Sequence, residues 1–158
     1  MHLRPATADD RPLLRWATWV NVTWGGAPFA LEDVDAQPHL AHYSATFPGP
    51  GDFGLVAEDD GRAVGVVWAV HLPADDPGYG FVSADVPEMS LTVDAERRRR
   101  GVGTALLAAA VEDARRRGLP AVSLSVEDGN PARLLYERCG FAVVGRSGDA
   151  DTMLLDLS

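Results

Sequence analysis

The chain has 158 residues, 46% of them hydrophobic and 23% charged, and a formal net charge of −9. This size and balance predict a single globular domain over residues 1–158, while the acidic excess disfavours a general nucleic-acid or anionic-membrane binder. No apolar run is long enough to span a bilayer, Met1–Pro5 shows no apolar leader core, and the single cysteine, Cys139, excludes an internal disulfide, so a reducing, cytoplasmic setting is expected.

His2–Thr7 reads as a short strand. Thr7 or Asp9 is placed to cap a helix running to about Asn21, with Leu13, Leu14, Ala17 and Val20 inside. Trp24-Gly25-Gly26-Ala27-Pro28 breaks that helix. A second helix is expected over Leu31–Thr46, with Pro38 interrupting it. Phe53–Glu58 and Arg62–Leu72 read as a hairpin around Asp59-Asp60-Gly61. Pro73–Val86 is a long Pro/Gly/Asp loop. Glu88–Val93 alternates, with Met89, Leu91 and Val93 on one face and Glu88, Ser90 and Thr92 on the other.

The helix expected over 101–117 carries Val102, Leu106, Ala110 and Ala114 as an apolar stripe. Arg115–Arg117 suit its C-terminal dipole, and Gly118 with Pro120 stops it. Ala121–Val126 alternates again. Asn130 followed by Pro131 marks a helix start, with Asn as N-cap and Pro at N1. That helix ends at Cys139-Gly140, and Phe141–Arg146 with Thr152–Leu157 read as a final antiparallel pair. The sum is a mixed sheet flanked by helices, with a strand-to-helix junction near mid-chain.

That junction carries the most chemistry. Residues 91–120 hold seven Arg and four Asp/Glu, whereas residues 1–90 hold four Arg and thirteen Asp/Glu. Arg98-x-x-Gly101-x-Gly103 opens the helix, where free backbone N–H groups and the positive dipole end favour an anion. Glycines let a ligand approach the backbone, so the loop reads as a phosphate or pyrophosphate site. Of the common phosphate motifs, Walker A needs a Gly-Lys-Ser/Thr run, and the chain has no lysine. A Rossmann turn needs glycine where Leu106 stands. A solvated arginine loop is the bland alternative.

Three blocks in order carry a more specific signal: Leu91–Gly103, Val122–Val126 and Asn130–Phe141. Together they resemble the GCN5-related N-acetyltransferase (GNAT) superfamily. Its acyl-CoA signature is Gln/Arg-x-x-Gly-x-Gly/Ala after a strand, and its later block is Asn…Ala…Leu-Tyr…Gly-Phe. Two positions depart from the pattern: Ala95 replaces a frequent proline and Arg99 a frequent glycine. The resemblance covers about the C-terminal half.

It implies an α+β (mixed α/β) fold, whose central, mostly antiparallel sheet is splayed between strands 4 and 5 and flanked by about four helices. It further implies acetyl-CoA as co-substrate, without a metal. The backbone of Leu91, Thr92 and Val93 would hold the pantetheine arm. The N–H groups of Arg98, Arg99, Arg100, Gly101, Val102, Gly103 and Thr104 would cradle the pyrophosphate. Asn130, Arg133 and Tyr136 are further candidate cofactor contacts.

The expected reaction is acetyl transfer to a primary amine of a small molecule or peptide. Glu88 is the candidate base, direct or through water, because it leads the central strand. Tyr136 is the candidate acid, because a phenol holds its proton at neutral pH. Each has a bland reading: Glu88 as a solvated strand end, Tyr136 as a core aromatic, Asn130 as only a helix cap. Cys139 is expected to pack at a helix end; His2, His39, His42 and His71 lack metal-ligand spacing, and His39-x-x-His42 alone is a weak signal. Trp16, Trp19, Trp24, Phe29, Tyr43, Tyr79 and Phe81 are candidates for core or acceptor-pocket wall. The alternative function is a non-catalytic acyl-CoA-binding or sensing domain, and a weaker one is nucleotide binding. A homodimer is compatible with the resemblance.

Overall fold

A computed structural model describes residues 1–158. Seven strands form one sheet in the order β1-β2-β3-β4-β5-β7-β6. They are β1 (His2–Pro5), β2 (Phe53–Asp59), β3 (Arg62–Val70), β4 (Glu88–Val93), β5 (Ala121–Glu127), β6 (Ala142–Ser147) and β7 (Ala150–Asp156). Every neighbouring pair is antiparallel except β4 and β5. The helices are α1 (Arg11–Thr23), α2 (Leu31–Ala36), α3 (Pro38–Ala41), α4 (Val102–Arg116) and α5 (Ala132–Cys139).

The helix expected over Leu31–Thr46 is instead two short ones. Pro38 starts α3, and Gln37 before it is extended at φ −108°, ψ 107°, because a residue preceding proline is pushed out of the helical region. This split raises the helix count from about four to five. The first helix begins later than its caps suggest. Thr7 and Asp10 form a reciprocal capping box around a short 3₁₀ turn, Ala8–Asp10, and α1 follows from Arg11. Asn130 Oδ1 accepts the N–H of Ala132 at 3.0 Å, so it caps α5 as expected, although regular helix starts at Ala132.

The two faces of the sheet bury separate cores, as alternating side chains require. On one face α4 supplies Leu106, Leu107, Ala110, Val111 and Ala114 against Val64, Val67, Met89, Val122 and Leu124. On the other, Leu14 and Ala17 of α1 pack with Tyr43 and Phe47 against Val56, Val66, Trp68 and Val70. In β4 the expected alternation holds. Met89, Leu91 and Val93 face the α4 core, and Thr92 Oγ1 turns to α1, bonding Asn21 Oδ1 at 2.9 Å. Glu88 therefore opens on the α1 side and the glycine-led helix start lies beside the opposite face.

Candidate active site

Strands β4 and β5 share one registered pair, Glu88 with Ser123. The Ser123 N–H donates to Pro87 O at 3.0 Å. Beyond that pair the strands diverge, and the main-chain groups of Leu91 and Val93, which face β5, are left without a ladder partner, whereas those of Thr92 face β3. A gap of this kind leaves main-chain donors and acceptors for an extended ligand to use.

The gap leads to the start of α4. No N–H from Arg98 through Thr104 donates within the chain, and the first helical bond runs from Ala105 N to Gly101 O at 3.0 Å. Gly101 has φ +82°, a left-handed value that favours glycine. Arg99 adopts φ +64°, which explains why the family pattern often carries glycine there. A Cβ on Gly103 would lie 3.4 Å from Leu135 Cδ2, an ordinary contact, so a small residue suffices.

The four arginines of this loop divide. Arg97 is half-buried and paired with Asp59, and Arg62 holds Asp94 at 2.6 Å. Arg98, Arg99 and Arg100 are exposed and make no ion pair. Three unpaired arginines, a run of unbonded N–H groups and a helix dipole thus occupy one short loop, a combination that fits a pyrophosphate.

Glu88 stands at the vertex of the gap and is only 6% exposed. Its Oε2 accepts from Tyr43 Oη at 2.6 Å, and its Oε1 accepts from Gly80 N at 2.9 Å. Burial pushes its carboxyl up to about 7, against the pull of those two donors. The covering loop is pinned twice more. Tyr79 N donates to Tyr43 Oη at 2.8 Å, and Ser123 Oγ donates to Gly80 O at 2.7 Å. Glycine is dictated by close approach here, since a Cβ on Gly78 would overlap Glu88 Oε1 and one on Gly80 would lie 2.6 Å from the Leu124 carbonyl carbon. A cleft of about 460 Å³ opens alongside, between Tyr79, Phe81 and Val82 of this loop and Val144, Gly145 and Thr152 of β6–β7.

Tyr136 is buried on α5, its ring edge-on to Phe141 at 6.0 Å. Burial alone pushes its phenol up to about 12, with no hydrogen bond from the chain to its hydroxyl. Arg133, on the same helix, is bonded to Asp151 at 2.6 Å, within a cluster that also holds Arg146 and Asp128. Burial pushes the Cys139 thiol up, against a nucleophilic role. His42 pairs through Nδ1 with Asp76 at 3.0 Å. Of the aromatics, Tyr43 reaches the Glu88 carboxylate and Tyr79 lines the cleft, whereas Trp24 and Phe29 are exposed. The parts the sequence pattern leaves hidden are Gly78, Gly80 and Ser123. The Pro77-Gly78-Tyr79-Gly80 run is the only signal for the two glycines, since glycines in a long loop rarely declare a close contact, and Ser123 sits unmarked within the Val122–Val126 strand.

A dipole-backed anion site at one end of a splayed parallel pair is an arrangement that a coenzyme A-borne acyl donor fits. Comparison with known proteins agrees. The acetyltransferase (GNAT) family model matches residues 14–141. A streptothricin acetyltransferase from Streptomyces lavendulae is 35% identical over 133 residues, covering 80% of this chain and 68% of that protein. A mycothiol acetyltransferase from Acidimicrobium ferrooxidans is 37% identical over 113 residues, covering 70% of this chain but 34% of the relative, so the chain spans about a third of its length.

Among solved structures, a ribosomal-protein-alanine N-acetyltransferase from Brucella melitensis superposes with TM-score 0.67 at 25% identity, over 99% of this chain and 100% of that one. YncA from Salmonella typhimurium, a putative acetyltransferase solved with acetyl-CoA, superposes with TM-score 0.72 at 23% identity, over 100% and 94%. The chain belongs to the acetyltransferase (GNAT) family, and acetyl-CoA is the co-substrate that the free helix start and the open strand edge fit.

Proposed function

We propose that the protein transfers the acetyl group of acetyl-CoA to a primary amine, with Glu88 as base and Tyr136 as acid. The observation that carries this reading is the Glu88 carboxylate at the vertex of the strand gap, buried and raised to about 7. The thioester supplies an activated acyl group, and the protein's task is to free the amine and stabilise the leaving sulfur. An alkylammonium ion has a pKa of about 10, so moving its proton to a group near 7 is uphill by roughly 4 kcal/mol. From an ordinary carboxylate near 4.5 the step would be uphill by roughly 7 kcal/mol. Burial therefore brings Glu88 about 3 kcal/mol closer to its task.

The Tyr136 phenol, near 12, keeps its proton throughout the neutral range. It donates a hydrogen bond to the sulfur as thiolate character develops and passes its proton to the departing thiolate, and the second proton of the acceptor nitrogen returns to the phenolate as the amide forms. The Val93 N–H polarises the acyl carbonyl. Leu91 and Val93 hold the pantetheine arm. Arg98, Arg99, Arg100, Gly101, Val102, Gly103 and Thr104 hold the pyrophosphate, and Asn130 and Arg133 flank it. The acceptor enters by the cleft beside Tyr79 and Phe81. The relatives bear names that include mycothiol, streptothricin and a ribosomal-protein alanine, so small and protein acceptors are both in scope.

The test is free-CoA release across a panel of small and peptide amines, with mass detection of the acetylated product. Release that depends on the amine supports the proposal. Tight CoA binding with no transfer to any amine would assign the chain instead to acyl-CoA binding or sensing.

A further inference from the structure

Nothing in the family pattern assigns a role to Tyr43, yet its contacts leave it little freedom. It follows α3 and is 4% exposed. Its carbonyl accepts from the buried Trp68 indole Nε1 at 2.9 Å, so its backbone is anchored to β3. Its ring is stacked on Tyr79 at 6.5 Å with 9° between planes, and lies edge-on to His42 at 4.6 Å. Its oxygen accepts the Tyr79 N–H at 2.8 Å, so its single proton is directed to Glu88 Oε2, 2.6 Å away.

Glu88 meets no charged partner. Its neighbours are Val70 on β3, Ser123 on β5, Tyr43, and the Gly78–Gly80 segment, which adds the Gly80 N–H to Oε1. The nearby titratable groups serve others, with His42 bonded to Asp76 and the half-buried Tyr79 phenol facing Glu127 as well as Glu88. Two neutral donors, one on each oxygen, are thus all that offsets the desolvation of the ionised carboxyl.

We propose that Tyr43 is a positioning residue for acetyl transfer: its hydroxyl orients the Glu88 carboxylate, sustains its ionised form and ties it to the Pro77–Phe81 loop. The inference rests on Glu88 acting as base. Tyr43 itself keeps its proton, because burial and the adjacent Glu88 charge raise its phenol. Loss of the hydroxyl leaves Oε2 without a donor and leaves the Tyr79 N–H without an acceptor. Ionised Glu88 becomes costlier and the loop loses one of its pins.

The test is a carbon-13 NMR titration of the Glu88 carboxyl in glutamate-labelled protein, with the signal assigned by its loss in Glu88→Gln. In Tyr43→Phe the Glu88 midpoint should rise by about one pH unit. The acid limb of kcat/KM should move with it, while KM for acetyl-CoA stays within about twofold. Incorporation of fluorotyrosine makes the phenol a stronger donor without removing it, and should lower the midpoint even if Tyr43→Phe folds poorly. A Glu88 midpoint that stays put in both proteins would overturn the proposal. Full turnover in Glu88→Gln would instead sink Glu88 as base, while the titration still decides whether Tyr43 controls its proton.

Discussion

Glu88 and Ser123 form the one rung joining β4 to β5, and the gap between the two strands begins immediately beyond it. The vertex of the gap and the candidate base are thus the same residue. Ser123 fixes the other side, its hydroxyl holding Gly80 O at 2.7 Å so that the loop stays over Glu88. The sheet topology itself thus places a buried carboxylate, supplied with two donors, at the vertex of the gap.

The loop over Glu88 depends on two missing side chains. Gly80→Ala would place a methyl 2.6 Å from the Leu124 carbonyl carbon, and Gly78→Ala would drive one into Glu88 Oε1. Each should cost about 1–3 kcal/mol of stability. Each should also let water reach Glu88, so its carboxyl titrates closer to the usual 4.5 and transfer slows. Thermal melts and an NMR titration of the two variants check this.

The arginine loop separates by partner. Replacing Arg98, Arg99 and Arg100 together by Ala should weaken acetyl-CoA binding by about 10- to 100-fold, and the loss should shrink at high salt. Arg97→Ala breaks the pair with Asp59; it should leave that affinity within about twofold and change stability little, because the pair is solvent-screened. Arg99→Gly relieves the left-handed φ of +64°, and should raise stability by roughly 0.5–1 kcal/mol while weakening binding. Calorimetric titration with CoA and thermal melts read both effects.

Tyr136→Phe removes a hydroxyl with no partner in the chain. The fold should therefore be as stable as before, because no internal hydrogen bond is lost. The rate constant for transfer should fall by about 10- to 100-fold with CoA affinity unchanged. Unchanged kcat would remove Tyr136 from the mechanism and leave it as a core aromatic.

Stability should vary with pH in a direction set by Glu88. Its native value of about 7 lies above the ordinary 4.5, so between those limits the folded state holds a proton that the unfolded chain has released. Unfolding free energy therefore falls as pH rises through that window, by roughly 3 kcal/mol in all. On the acid side Asp10, Asp59, Asp94 and Asp151 are held below the usual range by arginine partners, and their contribution is lost as pH falls through those lowered values. The melting temperature should peak near pH 4.5, where the aspartate contribution is complete and the Glu88 contribution has not begun to fall. Glu88→Gln should flatten the slope between about pH 4.5 and 7. An unaltered slope in that variant would contradict the burial account.

What the sequence discloses follows the physics of each element. Strand β4 was legible because alternation alone places Met89, Leu91 and Val93 opposite Glu88, Ser90 and Thr92. The helix start was legible because Gly101 and Gly103 punctuate a basic run. The four arginines look alike in sequence, and only the β2–β3 turn, which brings Asp59 to Arg97, distinguishes one from the other three. The hold on Glu88 was illegible for the same reason. Tyr43 lies 45 positions away, and the loop that carries Gly78 and Gly80 has no periodicity to project. Pro38 was visible as an interruption, but its cost to Gln37 decided that one expected helix became two.

The central claim is that Glu88 takes the proton of the acceptor amine. The direct measurement is kcat/KM for acetyl transfer to a primary amine between about pH 5.5 and 9, in the wild type and in Glu88→Gln. The account predicts an acid limb near pH 7 in the wild type. In Glu88→Gln that limb should be absent and the rate about 100- to 1,000-fold lower. A Glu88→Gln enzyme with the wild-type rate and the same limb would contradict it.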